Sequence, residues 1–175
     1  MAGTIAGLSP THITGLFAYT FSFLACAGRW LTQKKFDAGR RWFGVLTVVQ
    51  FVLLLDMTFS WRWKVHALLV REAVAEGVYN ERRDPQLWVL IALGVVLVVV
   101  SLWVIYRWRA RRGLALAMTG TLILAVLWCT EAISYHAMDQ VLYTVAAAGV
   151  RIVGLSWCVA ALMVCVGCWI DAARR

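Results

Sequence analysis

Long apolar blocks separated by short polar breaks run along nearly the whole chain. A bilayer hydrocarbon core about 30 Å thick is crossed by roughly 20 helical residues at about 1.5 Å each. Five blocks of that size lie near residues 11–30, 42–60, 87–106, 114–135 and 151–170. The pattern predicts an all-α integral membrane protein, a five-transmembrane-helix bundle in a single domain over residues 1–175. The longest stretch outside the blocks runs from Trp61 to Gln86. Within it Val65, Leu68, Leu69, Ala73, Ala75 and Val78 recur at helical spacing among His66, Arg71, Glu72 and Glu76. That spacing predicts a short amphipathic helix between helices 2 and 3, lying on the membrane surface or continuing helix 2, and ended by Gly77 and Asn80.

Local signals agree with these blocks. Ser9-Pro10 and Asp84-Pro85 each place a capping side chain before a proline that needs no helical backbone donor, so both read as helix starts. Gly154, Cys158, Ala161, Cys165 and Cys168 align small residues along the last block, as do Gly15, Ala18, Ser22 and Ala25 on the first. Gly113, Ala117 and Thr121 begin a third such seam; in lipid, small faces let helices approach closely. The third block holds almost no polar residue except Ser101 and is expected to face lipid. No internal repeat or proline-broken span marks an inverted-repeat transporter.

Composition then places the chain in a membrane: 62% of residues are hydrophobic, 15% are charged, and there are ten Trp. Mean hydropathy is +0.76. The net charge of +8 would suggest nucleic acid if it formed a stripe with interleaved aromatics, but it clusters at block ends instead. Arg29, Lys34, Lys35, Arg40 and Arg41 follow the first block; Arg107, Arg109, Arg111 and Arg112 follow the third; Arg174 and Arg175 follow the fifth. By alternation all three groups share one face, and basic residues are retained on the cytoplasmic side. The expectation is therefore a multi-pass protein of the cell inner (plasma) membrane, N-terminus outside and C-terminus cytoplasmic, contacting lipids and not nucleic acid. Nothing basic precedes the first block, so it reads as a retained helix rather than a signal peptide, and Phe23-Leu24-Ala25-Cys26 as no lipoprotein site.

Candidate chemistry begins with two carboxylates inside apolar blocks, since an ionisable group at that depth is costly and marks a site by default. Asp56 and Glu131 lie at similar depth, about 22 and 27 Å from the inner boundary at about 1.5 Å per residue. Both fall in the outer leaflet. Nearby are Arg62, Lys64 and His66 on one side, and Ser134, Tyr135, His136 and Asp139 on the other. On helix 4 Glu131, Tyr135 and Asp139 are spaced by four and share a face, with His136 beside it, a coherent polar stripe. If helix 2 continues unbroken, Arg62 rotates away from Asp56, so their pairing does not follow from spacing.

The expected outer-leaflet cluster is thus Asp56, Arg62, His66, Glu131, Tyr135, His136 and Asp139. Four roles compete for it. One is structural pairing of the acids with Arg62, Lys64 or Arg151. Another is a pocket for a lipid, quinone or pigment rimmed by Trp61, Trp63, Trp128 and His136. A third is a metal site using His136, Asp139, Glu131 and His66. The last is proton or ion passage through Asp56 and Glu131. The three histidines cannot form a paired haem site inside the spans. Cys165 and Cys168 make a CxxC, but in a helix they read as packing residues.

No nucleophile elbow, phosphate loop, dinucleotide fingerprint or HExxH occurs, so no catalytic residue or cofactor is assigned. The function expected is a non-enzymatic accessory, assembly or lipid/cofactor-binding component of a membrane complex, with other membrane subunits or copies of itself as partners. A small membrane metalloenzyme or acid/base enzyme using the cluster is the alternative, and a proton-coupled transporter of small solutes is a further one.

Overall fold

The computed structural model describes residues 9–77 and 83–174. Val78, Asn80 and Arg175, each of which carried a reading above, lie outside them. Among the described residues there are seven helices and one hairpin: α1 (Pro10–Thr32), α2 (Ala38–Phe59), α3 (Trp61–Ala75), α4 (Arg83–Arg107), α5 (Arg112–Ile133), α6 (His136–Leu142), β1 (Val145–Ala147), β2 (Val150–Arg151) and α7 (Ile152–Ala173). The chain is all-helical apart from that hairpin, and α2, α4, α5 and α7 are long and apolar enough to cross a membrane.

Helix starts follow the capping chemistry. Ser9 Oγ accepts the His12 N–H at 3.2 Å ahead of Pro10, and Asp37 accepts the Gly39 N–H at 2.7 Å to open α2. α4 is already helical at Arg83, so Asp84 and Pro85 lie in its first turn rather than before it.

The bundle closes through α1, α2, α5 and α7, while α4 packs mainly on α5. Val104 is the one fully buried residue of α4, as its uniformly apolar sequence suggests for a lipid-facing helix. α5 and α7 run antiparallel with their backbones nearly touching. A Cβ on Gly167 would sit 2.6 Å from the Ala117 nitrogen and the Gly113 oxygen, and one on Gly120 2.7 Å from the Ala160 oxygen. The seam Gly113, Ala117, Thr121 is wholly buried, and Gly15, Ala18 and Ser22 of α1 are buried too. On α7 the expected stripe is displaced: Gly154, Ala161 and Cys168 are buried, but Cys158 is exposed and Gly167 makes the closest approach.

Two helices end in an unexpected way. Ser60 (φ 56) and Ser134 (φ 51) both adopt the left-handed conformation, terminating α2 and α5 and redirecting the chain. Each donates its backbone N–H to the last turn, Ser60 to the Asp56 carbonyl at 2.6 Å and Ser134 to the Thr130 carbonyl at 3.1 Å. Two readings from spacing are corrected by this. α3 is a separate helix and does not continue α2. The stripe Glu131, Tyr135, Asp139 does not exist, because Tyr135 and Asp139 follow the break at Ser134 and belong to a new segment.

The hairpin turns through Ala148 (φ 50) and Gly149 (φ 78), the paired left-handed conformations that suit a two-residue connection. Its end is tied to α1, since Thr11 Oγ1 accepts the Arg151 N–H at 3.1 Å. One end of the bundle therefore gathers the N-termini of α1 and α7, the C-termini of α2 and α5, and α3, α6 and the hairpin.

Candidate functional site

The break at Ser60 makes the site. Had α2 continued, Arg62 would point away from Asp56; with the chain turned, α3 starts directly over the Asp56 carboxylate. Asp56 Oδ1 accepts the backbone N–H of Arg62 at 2.7 Å, capping α3, and Oδ2 accepts Arg62 Nε at 2.6 Å. The same guanidinium donates through Nη1 to Glu131 Oε2 and through Nη2 to Met57 Sδ, the latter at 3.6 Å. Arg62 thus bridges α2 and α5 with two carboxylates, and its side chain is only 3% exposed, against 2% for each acid. The planar fork of arginine suits this double engagement, and its charge persists in any such setting.

Trp157 of α7 lies under the guanidinium, with Cζ 5.4 Å from the ring centroid. Tyr19 of α1 packs against that indole at a centroid separation of 6.1 Å. Five helices, α1, α2, α3, α5 and α7, therefore meet at one ionic triad. Several polar atoms around it have no hydrogen-bond partner among the described residues: Glu131 Oε1, Trp157 Nε1, and the hydroxyls of Tyr19 and Tyr143. Such buried orphans are rare enough to call for an explanation. Tyr143 lies beyond the long helices, and burial, reinforced by Glu131 and Asp139, holds its phenol above the usual range, so it stays a neutral hydroxyl. Glu131, Trp157 and Tyr143 line a cavity of about 110 Å³ together with Ser9, Thr11, His12 and Arg151. Arg151 sits over the Tyr143 ring, with Cζ 5.3 Å from its centroid.

Of the seven residues expected to cluster, Asp56, Arg62 and Glu131 meet. His66 is a neighbour that reaches elsewhere, its Nδ1 lying 3.2 Å from the Ala132 carbonyl. Tyr135 pairs with Arg83 Nε at 3.5 Å, His136 with Gln140 at 3.0 Å, and Asp139 accepts from the Ser134 hydroxyl at 2.5 Å. Among the described residues no three His, Cys, Asp or Glu side chains are gathered to hold a metal ion, so His136, Asp139, Glu131 and His66 do not form one donor set. The left-handed Ser134 is the cause, turning α6 away from the end of α5.

A second ionic cluster, at the opposite end of the bundle, escaped the sequence reading. Asp171 of α7 receives Arg29 Nε at 2.8 Å and Nη2 at 2.6 Å, Gln33 Nε2 at 2.9 Å, and Arg111 Nη2 at 3.2 Å. Arg111 also engages Asp37. Burial opposes the Arg111 charge, but Asp37 and Asp171 outweigh it and keep its pKa above the ordinary value. In the sequence these arginines serve only as block-end charges that set the orientation; the available signal was Asp171, an acid at the very end of the last apolar block. Between the two clusters Gln50 donates to Thr121 Oγ1 at 2.9 Å, the buried polar contact of the bundle's middle. Near Asp171, Cys168 lies 3.9 Å from Cys26 of α1, so the CxxC is not the thiol pair that meets across helices.

Fold and site together define a class: a small all-helical protein with four candidate membrane-spanning helices, pinned at each end by a buried ionic cluster, one of which opens on a cavity. No family model, curated protein or solved structure matches this chain.

Proposed function

We propose that the chain is a five-span, multi-pass protein of the inner membrane, N-terminus outside and C-terminus cytoplasmic, acting as a non-enzymatic ligand-binding accessory component of a membrane complex. The fifth span is α1, whose 23 residues give about 35 Å of helix and which packs between α2 and α7. The orientation draws support from Lys34, Lys35, Arg40, Arg41, Arg107 and Arg109, which fall at the Asp171 end. The Asp56 end is then the outer one, and α3 is the outer-loop helix.

The observation that carries the binding role is the second carboxylate oxygen of Glu131. The residue is 2% exposed, one oxygen is held by Arg62, and the other has no partner while the side chain lines the cavity. Two acids against one arginine leave this interior net negative. Arg151, exposed at the rim and without a carboxylate partner among the described residues, is positive. A small zwitterion matches that order of charges, with its ammonium directed to Glu131 and its acidic group to Arg151. The bilayer offers such a ligand in the phosphatidylethanolamine head group. Trp157 and Tyr143 add hydrogen-bonding atoms on an apolar wall, the usual mixture in a ligand site.

Purification in mild detergent followed by mass spectrometry of co-purifying lipids and proteins tests this. The wild type is expected to carry an ethanolamine head group and a membrane partner. Glu131→Gln keeps an acceptor for Arg62 but removes the free charge, so bound ligand should fall about tenfold, the effect of one charged hydrogen bond, with the unfolding temperature preserved. Wild-type protein carrying neither ligand nor partner overturns the reading.

A further inference from the structure

At the Asp171 end, away from the Glu131 cavity, the start of α2 and the end of α4 enclose a pocket of about 500 Å³. Lys35, Arg41 and Arg107 line it together with Trp42, Trp103 and Trp108. None of the three cations has a carboxylate partner among the described residues, while Asp37 and Asp171 at the same end pair with Arg29 and Arg111. The one acid in the wall, Asp37, is turned to Arg111. Arg107 is stacked instead on Trp108, with Cζ 5.3 Å from the ring centroid, and the buried Trp108 indole N–H has no acceptor among the described residues. Phe36, on the connection before α2, is 99% exposed.

A solvated loop would not hold three indoles and a bare phenylalanine beside three unpaired cations. At the boundary of apolar helices this combination has a clear match: aromatic rings sit at head-group level, and basic pockets between helices receive anionic lipid heads. We infer that this pocket is a binding site for the phosphate head group of an anionic glycerophospholipid, with Lys35, Arg41 and Arg107 on the phosphate and the three tryptophans around the glycerol and upper acyl region. The Trp108 N–H supplies a donor to the phosphate or an ester oxygen. The site is separate from the Glu131 cavity and stands whether or not that cavity binds a ligand.

The test is native mass spectrometry of the full chain with phosphatidylglycerol or phosphatidylcholine of identical acyl chains. The expected result is selective retention of phosphatidylglycerol, reduced tenfold to a hundredfold in a Lys35→Gln, Arg41→Gln, Arg107→Gln variant, the order expected for three cations near a phosphate. A variant of equal charge loss outside the pocket, Lys34→Gln, Arg109→Gln, Arg112→Gln, should keep the preference. Equal loss in both variants, equal binding of the two lipids by the wild type, or full displacement by inorganic phosphate overturns the inference. Should the first variant not fold, the wild-type preference and its weakening by salt still decide the matter.

Discussion

Arg62 is the residue on which the Glu131 site turns, because its one guanidinium engages both Asp56 and Glu131, each 2% exposed. Removing one partner of a buried ionic group leaves uncompensated charge and costs on the order of 3–5 kcal/mol. Arg62→Met should lower stability by that amount, measured by reversible unfolding in detergent. Arg62→Lys should recover little, since a point charge cannot bridge two carboxylates and hold the α3 start together. Replacing Asp56, Arg62 and Glu131 together by apolar residues should restore most of the loss, because the desolvation cost disappears with the charges. Near-normal stability of Arg62→Met would mean that the acids find other partners. Asp56 and Glu131 were legible in the sequence because charge inside an apolar run stands out. Their joining by Arg62 was not, for it depends on one dihedral at Ser60. Asp171 and its arginines were overlooked for the opposite reason: at a helix end, buried pairing and head-group contact look alike in sequence.

Ser60 and Ser134 show the same point at the level of elements. Block length located the long helices because crossing a bilayer demands a run of apolar residues, and the bounds differ only by a few terminal residues. The breaks were hidden, since serine is no strong helix breaker and the apolar pattern continues across it. Left-handed backbone at a residue with a Cβ is costly by roughly 1–2 kcal/mol and persists only where surroundings compel it. Here the compulsion is the pairing of Arg62 with Asp56 just beyond the turn. Ser60→Gly should therefore be neutral or stabilising by up to about 1 kcal/mol, and Ser60→Val destabilising by about 2 kcal/mol or more. Both are read from unfolding midpoints. A valine variant as stable as the wild type would show that the turn carries no such strain.

For the whole molecule, the five-span orientation predicts which surfaces meet which compartment. In a background without native cysteines, Phe36→Cys should react with a membrane-impermeant thiol reagent only after the cytoplasmic side is opened, and Met138→Cys in intact cells. Reaction of both from one side would dismiss the proposed arrangement. The apolar pattern was enough to foresee a helical bundle, and α4, the helix of the third block, has Val104 as its one buried residue. The pattern could not foresee which helices pair, because small-residue seams specify closeness but not partner. The pairing of α1 with α7 also has a meaning in time. Arg29 and Asp171 are separated by 142 positions, so a chain made from its N-terminus completes α1 long before the counter-ion of Arg29 exists. Until α7 is made, Arg29 lacks the Asp171 carboxylate and α1 lacks one of the two long helices it packs against. The ion pair that ties the first long helix to the last therefore forms only after every other described helix has been made.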